Sequence, residues 1–247
     1  MIKLNRSEAP AYLSDDKIVE LTNEFKINGV CVWNIHHIKE PLLASSYGKC
    51  AYCECPLTTQ SNYMEVEHFE DKSNNPNKVI LWENLLPSCK KCNGAKGIHD
   101  VISEPIVNPY IDEPKEHLSL RLYRLRGKTQ VGERTIDVID LNNSCRLVFP
   151  RYEIGEKISD LIEVSCERFH LYKIKKDVRS RNRLIGVVES LLNECQPVAD
   201  YSACTATNLL TDEKFLELIK NMKAESIWND ELELSLRTAG SVVLDCS

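Results

Sequence analysis

Four cysteines stand as two Cys-x-x-Cys pairs, Cys50/Cys53 and Cys89/Cys92. The dipeptide Glu67-His68 lies between the pairs, and Asn93 follows the last cysteine directly. Zinc prefers a tetrahedron of thiolate or imidazole ligands, and Cys-x-x-Cys lets one turn offer two sulfurs to one ion. Two such pairs, separated by 35 residues, fit a structural Zn2+ site on Cys50, Cys53, Cys89 and Cys92 that ties two loops together. Cys55 offers a competing sulfur, but beside a second complete pair it reads as a bystander. Cys31, Cys145, Cys166, Cys195, Cys204 and Cys246 have no partner spacing and read as small buried hydrophobes. Four thiolates leave no position for water, so chemistry must come from other side chains.

Hydrolysing a phosphodiester takes an activated water, stabilised charge on the phosphoryl oxygens and help for the leaving oxygen. A histidine suits the first task, and a hard divalent cation on oxygen ligands the other two. His68 supplies a base and Glu67 an oxygen ligand, while Asn84 and Asn93 supply further oxygens suited to Mg2+ or Mn2+. Alone, a Glu-His pair is better explained as a satisfied surface or core histidine. Its place between two zinc pairs, with Asn93 beside a zinc ligand, favours the chemical reading.

At these residues the chain resembles the HNH endonuclease family. The matching segments are Cys50-Ala51-Tyr52-Cys53, Val66-Glu67-His68-Phe69, Trp82-Glu83-Asn84-Leu85-Leu86 and Ser88-Cys89-Lys90-Lys91-Cys92-Asn93, with Lys96-Gly97. The resemblance covers residues 48 to 100. It implies an α+β chain: a ββα-metal HNH core stapled by a four-cysteine zinc site and embedded in mainly α-helical surroundings. It also implies roles. His68 is the general base, Glu67 and Asn93 hold the catalytic cation, and Asn84 braces the loop that places His68. Lys96 reads as a phosphate contact or as a solvent-exposed lysine. Two departures stand out. The third motif histidine is Asn93, with His99 a competing candidate six residues on, and Asp71 occupies a place where the family often has proline.

A narrower similarity extends beyond the core, through Pro105 to Tyr110, Asp112 to Pro114, Glu116 to Leu118 and Thr135 to Asn142. These stretches are similar to HNH proteins of bacterial anti-phage systems, the Septu type and some retrons. The similarity implies an ABC/SMC-like ATPase, PtuA, as partner, and a nucleic-acid substrate, DNA ahead of RNA.

Along the chain, three segments are expected: a helical segment at 1–47, the nuclease core with its zinc knuckle at 48–110, and a mainly helical, partner-binding region at 111–247. Ser14 with Asp15 and Asp16 marks a helix start, and Asn28-Gly29 a stop. Pro41 is placed at the head of a second helix. Tyr63 to Phe69 alternates as a strand, Ser73 to Asn77 reads as a loop, and Leu118 to Leu125 reads as one further strand. Helices are expected at Glu133 to Leu141, along the stripe Ile158, Leu161, Ile162, Cys166 and Phe169, along Leu184 to Leu192, and last at Asp212 to Lys223. Lys173, Lys175, Lys176, Arg179, Arg181 and Arg183 face a single Asp177. Lys173, Lys176 and Arg183 would share one side of a helix, which is a solvated face, a phosphate contact or a dock for an acidic surface. His36, His37, His117 and His170 read as structural.

The composition is that of a globular chain, 43% hydrophobic and 28% charged. No run of 18 apolar residues and no signal-peptide pattern is present, so no membrane span is expected. Eleven cysteines, an odd number, point to a reducing cytoplasm. The net charge of -6 opposes indiscriminate nucleic-acid binding. Two other functions remain open: a zinc-stabilised module that binds nucleic acid or the ATPase without cutting it, and a stand-alone restriction-like nuclease.

Overall fold

The Ser14 hydroxyl accepts from Lys17 N–H (3.4 Å) and opens α1 (Asp15–Asn28) in the computed structural model, which describes residues 1–59 and 62–246. Gly29 closes the helix at φ +67°, a conformation that glycine adopts without penalty. In α2 (His36–Ser45), Pro41 lies inside the helix and not at its head. Ile38 and Leu42, one turn apart and fully buried, hold α2 in place. Burying two such side chains is worth about 1.5–3 kcal/mol each, enough to offset one lost backbone hydrogen bond.

The strands β1 (Thr58–Thr59), β2 (Asn62–His68) and β3 (Leu85–Cys89) make an antiparallel sheet in that order, joined between β2 and β3 by 3-10 turns at Pro76–Lys78 and Trp82–Asn84. The β2/β3 register pairs Met64 with Cys89 and His68 with Leu85. α3 (Lys90–Lys96) leaves β3 directly, because Cys89 is its N-cap: the Cys89 sulfur accepts Cys92 N–H at 3.4 Å. β2, β3 and α3 together form the ββα unit.

After α4 (Pro114–His117), the expected strand Leu118 to Leu125 is a hairpin of β4 (Leu118–Arg121) and β5 (Arg124–Gly127). Leu122 and Tyr123 turn it with positive φ, 49° and 62°. Neither is a residue type that announces such a turn, so alternation alone does not reveal it. α5 (Gln130–Ile139) begins earlier than expected because Thr129 caps it, its hydroxyl accepting from Gly132 N–H (3.1 Å).

A π-helical turn at Ser144–Val148 leads into α6 (Phe149–Lys175), followed by α7 (Val178–Asn193), α8 (Ser202–Leu210), α9 (Glu213–Ala224) and α10 (Asp230–Gly240). On α6 the inward residues are Ile158, Ile162 and Ser165, whereas Leu161 is exposed. The basic run is an elbow and not one helix face. Lys176 ends α6 at φ +51°, and the Asp177 carboxylate restarts the chain by accepting from Ser180 N–H (2.6 Å). Lys173 and Lys176 pair with Glu225, while Arg179 and Arg183 belong to α7 and line a cavity of about 140 Å3.

Two compact units result. One comprises Met1–His117 with Gly127–Asn142, so that 1–47 and 48–110 fall together. The other comprises Leu118–Arg126 with Asn143–Ser247. The first buries Ile38, Leu42, Tyr52, Ile80, Leu85 and Leu86, and the second Leu118, Leu184, Leu192 and Phe215. Among the described residues no helix is long and apolar enough to cross a membrane.

Candidate functional site

The first Cys-x-x-Cys turn is tied to β3 by a hydrogen bond from Ala51 N–H to the Pro87 carbonyl (2.9 Å), which brings Cys50 and Cys53 over Cys89. Cys53 and Cys89 sulfurs are 3.9 Å apart. Cys55 is not a bystander: the sulfurs of Cys50, Cys53, Cys55 and Cys89 all lie within 4.8 Å of one another, and all four residues are buried. The cause is local. Glu54 takes φ +63°, which turns the chain back so that Cys50 N–H meets the Cys55 carbonyl (2.9 Å). That strained residue is anchored by buried ion pairs with Met1 (2.5 Å) and Lys49 (3.6 Å). Cys92 joins from α3, where its thiol interacts with Cys50, Cys53 and Cys89. Hydrogen bonding within the cluster, that with Cys50 first, holds Cys89 below the usual thiol range and pushes Cys53, Cys55 and Cys92 above it. A buried set of soft sulfur donors at this spacing fits a tetrahedral structural metal. Of the other six cysteines, Cys195 and Cys204 are buried, whereas Cys31, Cys145 and Cys246 are exposed, so burial does not explain those three.

His68 closes β2 and is only 4% exposed. Its Nε2 lies 3.0 Å from the Val79 carbonyl oxygen. A carbonyl can only accept, so Nε2 carries the proton and Nδ1 keeps its lone pair. Burial, reinforced by the charge of Lys72, lowers the His68 pKa to about 4, so the ring is neutral at pH 7. Trp33 packs edge-on against it, ring centres 4.7 Å apart.

Asn84 braces the loop that carries Val79. Its Oδ1 accepts from Glu70 N–H (2.7 Å), and its Nδ2 donates to the carbonyls of Glu70 (3.0 Å) and Lys78 (3.1 Å). Asp71 stands where the family often has proline and shapes the loop by other means. Its buried carboxylate accepts from the N–H groups of Ser73 (3.0 Å) and Asn74 (3.1 Å).

Glu67 and Asn93 are both placed by the ββα unit, Glu67 on β2 and Asn93 on α3. Glu67 is 2% exposed, and burial raises its pKa to about 7 against the opposing pull of Lys96. Lys96 is therefore neither exposed nor available to phosphate. It is 3% exposed, with its ammonium 2.7 Å from Glu67 Oε1 and 2.9 Å from the His68 carbonyl oxygen. Asn93 Nδ2 donates to Glu65 Oε2 (2.7 Å), which brings in a carboxylate that the motif did not indicate. Residues 63, 65 and 67 alternate onto one face of β2, and that period-2 pattern was the available signal. These hard oxygen donors suit a magnesium- or manganese-like ion. His99 stands apart from them, its Nε2 2.8 Å from the Glu104 carbonyl oxygen, and His117 pairs with Thr129.

From Cys50 to just past the end of α3, residues 50–98 match the HNH endonuclease family. This match and the ββα unit mark the segment as an HNH endonuclease domain. The relationship also extends past the core. A Septu protein PtuB of Bacillus thuringiensis is 44% identical over 247 residues, covering 99% of this chain and 95% of that protein. A second Septu protein PtuB, from Bacillus mycoides (strain KBAB4), is 28% identical over 138 residues, 42% of this chain and 46% of that one. The chain belongs to the PtuB family.

Proposed function

We propose that the chain cuts nucleic acid as the effector nuclease of a Septu-type defence complex, working in the cytoplasm with the ABC/SMC-like ATPase PtuA. In this reading His68 is the general base, and Glu67 and Asn93, with Glu65 beside them, hold a magnesium or manganese ion. When bound, that ion supplies neutralising charge at the phosphoryl and leaving oxygens. Zn2+ on the cysteine cluster keeps the loops in register. Segment 48–110 carries the chemistry, and the helical region 111–247 serves partner binding.

The observation that carries the reading is the state of His68. With Nε2–H committed to Val79, the Nδ1 lone pair is the group that takes a proton from water. The same carbonyl then stabilises the imidazolium that forms, and Asn84 keeps that carbonyl in place through the loop it braces. Lys96 limits the repulsion among the acidic groups by neutralising Glu67 from within the core. Removing either partner of that buried pair would leave an isolated charge, at a cost of about 3–5 kcal/mol.

The test is His68→Ala in the full chain, assayed on DNA and RNA with magnesium and with manganese. Cleavage is expected to fall by at least about 100-fold, the usual lower contribution of a general base. Zinc content and far-UV circular dichroism are expected to match the wild type. Cutting at the wild-type rate would remove His68 from the mechanism.

A further inference from the structure

A cleft of about 330 Å3 opens beside Glu65 and Asn93, walled by Trp33, Lys39, Tyr63 and Lys72. Lys39 and Tyr63 carry it on into a wider hollow of about 620 Å3 that reaches His36, Glu40 and Leu57. The first hollow has the volume of a pocket for a small organic unit, near that of one nucleotide and far from that of a duplex.

Tyr63 is 54% exposed. It shares a face of β2 with Glu65, two residues on, so its ring stands next to the Glu65–Asn93 pair. Lys72 lies over the Trp33 ring (5.2 Å to its centre), and its charge acts on both Glu67 and His68. Lys39 lines both hollows. Of the acids in the lining, Glu65 belongs to the first hollow with Lys72, and Glu40 to the second, while Lys39 and Tyr63 are common to both.

We infer that this cleft takes the scissile strand unpaired, with a base stacked on Tyr63 and backbone phosphates held by Lys39 and Lys72 on the way to Asn93 and His68. An exposed ring can stack only on a base that is free of its own neighbours, and such stacking tolerates any sequence. Two point charges and one ring also suit a chain of net charge -6, which lacks the broad positive field that duplex binding draws on. The direction of the strand rests on the nuclease reading above, whereas the binding itself does not.

The test uses the full chain with His68→Ala, in buffer containing a chelator of divalent cations weak enough to leave the zinc in place, and fluorescence anisotropy with labelled single-stranded DNA, single-stranded RNA and a DNA hairpin duplex. At least one single strand is expected to bind about tenfold or more tightly than the duplex. Tyr63→Ala is expected to weaken that binding roughly 5- to 150-fold, the range of one lost base stack, while Tyr63→Phe keeps it. Lys39→Ala and Lys72→Ala are each expected to lower the salt slope by about 0.7. Equal binding of duplex, or unchanged binding by Tyr63→Ala, would overturn the inference. Cleavage by the otherwise wild-type chain is scored separately. Tyr63-dependent binding without any cutting would keep the cleft and remove the nuclease reading, and unimpaired cutting and binding by Tyr63→Ala would do the reverse.

Discussion

Five thiols converge, whereas a tetrahedral metal site has four positions. Cys50, Cys53 and Cys89 are common to every arrangement, and both Cys55 and Cys92 interact with those same three sulfurs. Two alternative fourth ligands should compensate for each other. Cys55→Ser and Cys92→Ser are each expected to keep about one zinc per chain, the double variant to lose it, and Cys50→Ser to lose it alone. Metal analysis of the purified variants, with melting temperatures alongside, checks this. Loss of zinc from either outer variant alone would identify the obligatory fourth ligand and end the idea of exchange. The Cys-x-x-Cys spacing was readable because it is covalent. The contribution of Cys55 was not, because it depends on the left-handed turn at Glu54.

At the level of elements, the helix starts were legible where one side chain meets one nearby backbone group, Ser14 for α1 and Asp212 for α9, whereas the restart at Asp177 was hidden inside a basic run read as one helix. Elements that depend on distant packing were not. Pro41 sits within α2 because Ile38 and Leu42 are buried, and the β4–β5 turn uses residues with no turn signature. Gly132 shows how tightly α5 is seated. A Cβ there would lie 2.0 Å from the His117 carbonyl oxygen, a backbone atom that cannot swing aside. Gly132→Ala is expected to destabilise the protein by about 1–3 kcal/mol or more, read as a lower urea midpoint with an unchanged slope. A midpoint equal to the wild type would show that α5 can shift to make room.

For the molecule as a whole, charge is the governing quantity. A net charge of -6 gives little long-range attraction to a polyanion, so binding one would draw on local cations or on a partner. A tagged chain co-expressed with the PtuA ATPase is expected to retain it through size-exclusion chromatography, and the complex to cut faster than the chain alone at the same concentration. Equal rates with no ATPase retained would make this a stand-alone nuclease.

The sequence alone determined which groups could meet: two thiol pairs, a Glu-His step at a strand end and an asparagine beside the last of the paired thiols. It could do so because each signal lies within a few covalent bonds, and the local geometry of a turn or strand carries it. Only the tertiary structure decided which charges are buried and which stay open. It committed Lys96 to Glu67 inside the core, joined Glu65 to Asn93, seated Trp33 against His68 and left Tyr63 exposed beside them. Those outcomes depend on residues far apart in the chain competing for the same space and the same desolvation energy, and no local pattern encodes that competition.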